Sequence, residues 1–433
     1  MKKLCCIFGV LIVLFLVFVA CEETQKPNTN DAAPDTEQTP GEGQQEEGTE
    51  DLTKPTEGVV YEKSKDGTYA TVKGYNGEAK HVVIANTYQG SPVKEIGVEA
   101  FKHADITTVV IPSSVTDIRT RAFYMCTALE NAVFEKGFLG HIDENVFYSC
   151  TKLAKTEYDA CSYIASVDNP YFLLYECTAK SMDAYEIHKD TKIIAGGAFA
   201  KCKKVKTITI PASVNLICES AFSECELLSE VVFEADSQLK MIGNYAFYQC
   251  ASFATIAFPE GLCRIGEWAF FETALTSVLI PASVTEVLPG LFANCAMLER
   301  ITVADGNAKY HAEGNCLIET QSRTLIAGCK TSVIPADGSV TSIADSAFYE
   351  CVALREITIP ACVNWIGEYA FANCTSLASA VFINTADWVA VYGKEERDIP
   401  AEGLSNPEKA AEFLTDDYCV EIWKCTRIPQ EMN

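Results

Sequence analysis

The strongest constraint on the fold is a sequence unit that returns along most of the chain. Its clearest copy, residues 357–374, reads ITIPACVNWIGEYAFANC, with Ala-Phe near its end and a cysteine three residues after the phenylalanine. That phenylalanine recurs at intervals of 22 to 25 residues, apart from two intervals of 52 and 56. A period in this range predicts a solenoid, in which each unit is one rung stacked on its neighbours. The repeated phenylalanines are Phe101, Phe123, Phe147, Phe199, Phe222, Phe247, Phe270, Phe292, Phe348 and Phe371.

The composition of the unit predicts the course of each rung. An alternating run such as Leu354-x-x-Ile357-x-Ile359 is typical of a half-buried strand. A proline such as Pro360 follows the run and ends the strand, because it has no N–H to donate to a sheet. A second short apolar segment then returns along the far side, and a glycine such as Gly367 marks the turn before Ala-Phe. The phenylalanine is predicted to fill the interior of the rung.

Twenty cysteines in one chain would ordinarily suggest a disulfide framework. Eight of them, however, occupy the same repeat position, and the two units that lack this cysteine, after Phe101 and Phe270, are also one residue shorter. We therefore predict small buried apolar groups inside the turns rather than reactive thiols. Cys419 and Cys425 are the pair whose positions best suit a disulfide. The repeat cysteines are Cys126, Cys150, Cys202, Cys225, Cys250, Cys295, Cys351 and Cys374.

The pattern L-x-x-I-x-I-P-x-S-V-x-x-I-G-x-x-A-F-x-x-C resembles the BspA-like, Treponema-type leucine-rich repeat family, from about Ile96 to Phe382. The resemblance implies a strand-dominated α/β leucine-rich-repeat solenoid with short turns and helical segments. We expect a right-handed curved rod with a cap at each end. Members of the family are bacterial surface or secreted proteins, and several bind host extracellular-matrix proteins or promote adhesion and co-aggregation. The resemblance therefore implies a protein partner for this chain.

The start of the chain predicts export. Residues 1–20 combine Lys2 and Lys3 with a short apolar run, which is typical of a signal peptide. The ending Val19-Ala20-Cys21 resembles the lipobox of bacterial lipoproteins and implies lipidation of Cys21, although Phe18 stands where leucine is usual. A plain signal peptide and an uncleaved anchor remain alternatives. We expect a lipid-anchored protein of the bacterial outer membrane or cell surface, and the periplasmic face remains open.

The rest of the chain divides by composition. Residues 21–57 are predicted to be a disordered acidic tether, because positions 22–57 carry eleven acidic residues, two lysines and almost no apolar ones. Residues 58–95 are predicted to be an N-terminal β cap, with a hairpin around Asn76-Gly77. The solenoid should run over residues 96–383, with hairpin-like insertions at the two long intervals, over 167–186 and 304–329. Residues 384–433 should form a C-terminal cap: a loop-like stretch over 384–400, then a short helix from Asn406-Pro407.

Charge and motifs exclude several functions. The formal net charge is −25 and no basic run occurs, so nucleic acid is an unsuitable partner. The five histidines are scattered, and neither a nucleophile elbow nor a phosphate-binding glycine loop is present. We therefore expect no enzymatic activity, no cofactor and no metal. The expected function is non-catalytic binding of protein partners at the cell surface. A structural periplasmic lipoprotein and a glycan-binding surface lipoprotein are the alternatives.

Two rows of variable positions are candidate binding surfaces. One row faces out from the strands, is small and β-branched, and consists of Val110, Val133, Thr209, Val232, Ala257, Leu279, Thr302, Thr358 and Val381. The other row is aromatic and lies at the turns beside the repeated Ala-Phe. Aromatic residues dominate binding hot spots, but they also serve as padding between rungs, and both interpretations remain open. The aromatic candidates are Tyr124, Tyr148, Tyr245, Tyr248, Trp268, Phe271, Tyr349 and Tyr369, together with Trp365 on a neighbouring segment.

Overall fold

The computed structural model describes residues 54–426. They form a strand-dominated solenoid of about 14 turns with little helix, which confirms the predicted fold class. The predicted signal peptide, the lipidation at Cys21 and most of the predicted tether lie outside the described residues. Within residues 54–426, no helix is long and apolar enough to cross a membrane.

The rungs build two ladders of parallel strands. The first ladder is hydrogen-bonded in four short sheets of three, three, two and two strands. Its strands are β3 (His81–Val83), β6 (Thr108–Ile111), β8 (Asn131–Phe134), β14 (Thr207–Ile210), β16 (Glu230–Phe233), β18 (Thr255–Ile256), β20 (Ser277–Ile280), β22 (Arg300–Val303), β27 (Glu356–Ile359) and β29 (Ser379–Phe382).

The second ladder returns along the other side. Its strands are β5 (Ser91–Ile96), β7 (Asp117–Ile118), β9 (His141–Ile142), β13 (Ile193–Ile194), β15 (Leu216–Ile217), β17 (Met241–Ile242), β19 (Arg264–Ile265), β21 (Glu286–Val287), β26 (Ser342–Ile343) and β28 (Trp365–Ile366). The predicted alternation is seen in the first ladder. In β14, for example, Ile208 and Ile210 are buried while Thr207 and Thr209 are exposed.

The turns are joined from rung to rung by regular hydrogen bonds. The N–H of each of several repeat phenylalanines, such as Phe222, donates to the carbonyl of the alanine in the next rung, Ala246, at 2.8 Å. The rings stack in a column with centroids 5.2 Å apart from Phe222 to Phe247. Gly266 permits this spacing, because a Cβ there would lie 2.4 Å from the backbone of Asn244 in the preceding rung.

The repeat cysteines are buried, as predicted, and their thiols have a specific partner. In six rungs the Sγ donates to the carbonyl oxygen of the phenylalanine one rung earlier; Cys250, for example, donates to Phe222 at 3.1 Å. The burial raises the pKa of the Cys250 thiol well above its ordinary value. The repeat cysteines are therefore buried packing residues, as the shorter units without cysteine indicate.

Each long interval contains a three-stranded antiparallel insertion. The first is formed by β10 (Thr156–Tyr158), β11 (Cys161–Ile164) and β12 (Leu173–Cys177), and β12 then pairs in parallel with β13. It begins about ten residues before the predicted 167–186, because Thr156 to Tyr158 already pair with β11. The second is formed by β23 (Tyr310–Glu313), β24 (Cys316–Glu319) and β25 (Thr324–Ala327), and lies within the predicted segment 304–329.

The predicted hairpin around Asn76-Gly77 is wrong. The strand before this turn, β2 (Ala70–Tyr75), pairs antiparallel with β1 (Val59–Lys63) and parallel with β5, whereas β3 after the turn pairs with β6. The two strands belong to different ladders because each buries its apolar residues against a different side of the first rung. A short strand, β4 (Thr87–Tyr88), pairs with β5 and completes this region.

The C-terminal region contains the predicted helix. It is preceded by α1 (Ala401–Leu404), and α2 (Pro407–Glu412) begins after Asn406, whose side chain accepts hydrogen bonds from the N–H groups of Glu408 and Lys409. A π-helical turn, Phe413–Asp417, and β32 (Ile422–Cys425) follow.

One prediction for this region is wrong. The stretch 384–400 is not loop-like but contains the hairpin β30 (Trp388–Tyr392) and β31 (Glu395–Asp398). This hairpin forms because β30 also pairs with β32, which buries Trp388 and Trp423 against the last rungs. The sequence left a Cys419–Cys425 disulfide open, and Cys419 is a free thiol in this structure.

Candidate interaction surface

The turn position before the repeated alanine has a left-handed backbone. Tyr245 and Trp268 have φ of 54° and Tyr369 has φ of 57° there. This conformation costs a non-glycine residue about 1–2 kcal/mol, and glycine occupies the equivalent position at Gly197 and Gly290. The position is also left-handed in rungs without an aromatic residue there, for example at Glu99 and Ser220, so the conformation is a property of the turn itself.

The rings form one continuous path across the turns, which we call the aromatic band and define as Tyr245, Tyr248, Trp268, Phe271, Tyr349 and Tyr369. Ring centroids are 5.8 Å apart from Tyr245 to Tyr248 and 4.7 Å apart from Tyr248 to Phe271. The path continues over 5.6 Å to Trp268, 4.9 Å to Tyr349 and 6.5 Å to Tyr369. The sequence indicates these rings one by one, and the structure brings them together.

The contact between Trp268 and Tyr349 depends on the rung that lies between them. In that rung Gly290 replaces the bulky residue, and a Cβ at Gly290 would lie 2.8 Å from the indole ring of Trp268. The next turn follows directly, since the N–H of Asn294 donates to the carbonyl of Tyr349 at 3.3 Å. The turns before and after the second insertion are therefore still adjacent. Sequence analysis missed this contact because the two residues are distant in the chain.

Members of the aromatic band differ in exposure. Phe271 is 8% exposed and lies beneath the other rings. It is therefore a packing residue and a poor candidate for contact with a partner. Tyr369 is 42% exposed, and Tyr245, Tyr248, Trp268 and Tyr349 are half-buried. The indole N–H of Trp268 donates to Glu267 at 2.8 Å, which fixes the ring. Desolvation raises the pKa of Tyr245, Tyr248 and Tyr349, so their hydroxyls are neutral hydrogen-bonding groups.

The other aromatic candidates lie apart from the band. Tyr124 and Tyr148 stack on each other at 5.6 Å in the rungs before the first insertion, and Tyr148 is 53% exposed. Arg121 lies 5.6 Å from the Tyr124 ring. Trp365 is on β28, beside the C-terminal strand β32, with the Lys424 ammonium 5.2 Å from its ring. The structure therefore divides the predicted aromatic row into one band, one pair and one isolated tryptophan.

The strand row offers a weaker surface. Leu279 is 52% exposed and Val232 and Val381 are each 39% exposed, but they are on separated rungs of the first ladder. Threonine or alanine stands at several of the positions between, and no aromatic ring is among these residues. Large buried anchors contribute most of the energy in protein interfaces. The aromatic band is therefore the stronger candidate.

A cleft that the sequence did not indicate lies beside the first insertion. It encloses about 630 Å³ and is lined by Tyr158, Glu186 and His188 of the insertion region and by Thr209 and Glu234 of the first ladder. The Tyr158 hydroxyl donates to Glu186 at 2.6 Å, which raises the pKa of Tyr158 to about 12. Among residues 54–426, no group of three or more histidine, cysteine or acidic side chains is arranged to hold a metal ion.

Comparison with known proteins identifies the family of this chain. The model of the BspA type leucine-rich repeat region matches in six copies, over residues 80–166, 170–299 and 321–391. No curated protein is significantly similar in sequence.

Several solved structures are similar. One is a leucine-rich cell surface protein from Faecalibacterium prausnitzii, with 24% identity, coverage of 77% of this chain and 76% of the other, and a TM-score of 0.35. Another is a leucine-rich repeat protein from Eubacterium ventriosum, with 25% identity, coverage of 46% and 60%, and a TM-score of 0.40. The pneumococcal vaccine antigen PcpA has 18% identity, coverage of 75% and 69%, and a TM-score of 0.34. Because the family model matches more than half of the sequence, the chain belongs to the BspA-type leucine-rich repeat family.

Proposed function

We propose that the chain is an exported lipoprotein that binds a protein partner, without catalysis, through the aromatic band. The observation that supports this most is the continuous path of rings from Tyr245 to Tyr369. Tryptophan and tyrosine provide large contact areas with few rotatable bonds, and they are enriched among the residues that dominate interface energies.

The charge distribution specifies the partner further. The net charge of −25 favours a protein with a basic surface around the contacted region, because complementary charge speeds encounter and excludes wrong partners. Acidic groups also border the band, since Glu267 accepts from Trp268 and Glu272 accepts from Gln249. Host extracellular-matrix proteins and proteins of neighbouring cells are the classes of partner we propose.

The proposed anchor is a lipid on Cys21, followed by the acidic tether. Metabolic labelling with a clickable fatty acid tests it directly in cells that express the chain. We expect label on the wild type and none on Cys21→Ala. Labelling that survives this substitution, or that is absent from the wild type, would contradict the anchor.

Binding is tested on a panel of immobilised extracellular-matrix proteins. We expect saturable binding to at least one of them, and we expect Trp268→Ala combined with Tyr349→Ala to weaken it at least tenfold, about 1.4 kcal/mol. Tyr148→Ala is the matched control, because it removes an exposed ring from an equivalent turn position outside the band. Equal losses in both variants would show that the band has no special role.

Two other functions remain as proposals with their own tests. A structural lipoprotein that faces the periplasm would be protected when intact cells are treated with protease, whereas a surface protein would be cleaved. A glycan-binding protein would use the rings of the aromatic band as stacking platforms. That function predicts binding on a glycan array that Trp268→Ala abolishes.

A further inference from the structure

Three buried cysteines meet where the first insertion rejoins the solenoid. Cys161 is on β11, Cys177 ends β12, and Cys202 is in the following turn; their exposed fractions are 0%, 2% and 0%. All three are thiols in this structure. Hydrogen bonds from Cys161 and then from Cys202 lower the pKa of Cys177. The aromatic band does not involve this cluster.

The strand register selects one pair from the three. Cys161 lies directly opposite Cys177 in the antiparallel pairing of β11 with β12. The N–H of Thr178 donates to the carbonyl of Ala160 at 2.8 Å, and the N–H of Cys177 donates outside the hairpin, to Ala198, at 2.8 Å. Cys161 and Cys177 are therefore a non-hydrogen-bonded pair. In such pairs the Cα atoms are about 4.5 Å apart, within the disulfide range of about 4.4–6.8 Å.

We propose that Cys161 and Cys177 form an intrachain disulfide when the chain folds in the presence of a disulfide oxidant. In the first step the Cys177 thiolate attacks the oxidant, forming a mixed disulfide and releasing one oxidant thiol. The Cys161 thiolate then attacks the Cys177 sulfur, and the second oxidant thiol leaves. The two protein thiols lose two electrons and two protons, and the oxidant disulfide is reduced to two thiols. Export, which belongs to the proposed function, supplies such an oxidant in the cell.

The other buried cysteines lack this geometry. Cys225 and Cys250 are in successive parallel rungs, so their Cβ atoms are separated by about the 4.8 Å strand spacing, beyond the usual 3.5–4.5 Å of a disulfide. Each also donates to a phenylalanine carbonyl. In the second insertion the thiol of Cys316 donates to Gly314 and that of Cys329 to Asn315, and the register pairs Leu317 with Ala327 instead.

The disulfide would close the hairpin that carries part of the cleft wall. The loop from Cys161 to Cys177 contains Tyr171, which stacks on His188 with ring centroids 3.6 Å apart. His188 in turn lines the cleft with Tyr158. Oxidation is therefore expected to hold the insertion against the solenoid and to preserve the shape of the cleft.

The test is a disulfide map of the full chain. The protein is unfolded with reductant, refolded in a mixture of oxidised and reduced glutathione, denatured with iodoacetamide, and digested without reduction. Mass spectrometry should detect one linked pair of peptides, containing Cys161 and Cys177, that separates on reduction. The repeat cysteines should be fully alkylated. Alkylation of both Cys161 and Cys177, a Cys177–Cys202 link, or a Cys126–Cys150 link would each overturn the proposal.

Two variants and a second source of protein complete the test. Cys202→Ala removes the competing thiol and should leave the Cys161–Cys177 link unchanged. Cys177→Ala should make Cys161 fully alkylated, without a new link to Cys202. The same map on chain exported to a bacterial periplasm avoids refolding, and it should give the same link. Matrix-protein binding does not enter these readouts, so a failure here is separate from a failure of the proposed function.

Discussion

Two aromatic columns run through the turns of the solenoid, and they differ in burial and in how regularly they recur. The inner column consists of the repeat phenylalanines, which are buried, stack about one rung apart and lie beside the alanine contacts. The outer column is the aromatic band, whose rings are mostly half-buried. Trp268 and Phe270 are two residues apart and represent the two columns. The comparison teaches that a repeat fixes the core at every rung, while the residues of the aromatic band appear only on some rungs.

The largest expected effect is on the inner column. Phe247→Ala removes a fully buried ring that stacks on both Phe222 and Phe270, and it should reduce the free energy of unfolding by about 3–5 kcal/mol. Denaturant unfolding followed by tryptophan fluorescence measures this loss. A loss below about 1 kcal/mol would contradict the structural role of the column.

The next effect concerns Gly290, which lies against the Trp268 ring of the aromatic band. Gly290→Ala places a Cβ against the Trp268 ring at a position with φ of 69°, so we expect a loss of about 1–2 kcal/mol in stability and a displaced indole. Binding of the matrix partner should weaken with it. Gly306→Ala is the control, since a Cβ there meets nothing within 4 Å although φ is also positive, at 85°. Equal effects on partner binding in both variants would show that Gly290 does not act on binding through the aromatic band.

A smaller effect is expected from the cysteines that accompany the inner column. Cys250→Ala removes a buried sulfur and its hydrogen bond to Phe222, which should cost about 1 kcal/mol of stability. Cys263→Ala is the matched control, because this half-buried cysteine is outside the repeat position. We expect partner binding to be unchanged in both variants, and a selective loss of binding in Cys250→Ala would assign the repeat thiol a functional role.

The smallest effect concerns Glu219, close to the start of the band. Desolvation, with help from Asp143 and Glu144, raises the pKa of Glu219 to about 7. The folded state therefore holds a proton that the unfolded state loses above about pH 4.3, so stability should fall as the pH rises from about 4.5 to 7. Because Glu219 is partly exposed, we expect a change of about 1 kcal/mol or less. Glu219→Gln should remove this slope in pH-dependent unfolding, and an unchanged slope would assign it to another group.

The repeat made the inner architecture predictable. Strand, turn and core positions such as Ile357, Phe371 and Cys374 follow from local spacing, and the structure buries all three. The N-terminal hairpin was mispredicted because local turn chemistry at Asn76-Gly77 cannot show that the flanking strands join different ladders. The contact between Trp268 and Tyr349 was equally inaccessible, since it depends on how an insertion is accommodated and on the space left by Gly290.

The most direct test of the central claim compares Trp268→Ala with the wild type, using the matrix protein that the wild type binds most tightly. The dissociation constant and the unfolding midpoint are measured on the same preparations. The account predicts at least a tenfold weaker affinity, equivalent to about 1.4 kcal/mol, with a stability loss much smaller than that of Phe247→Ala. Unchanged affinity, or no wild-type binding to any matrix protein of the panel, would contradict the assignment of the aromatic band as the binding surface.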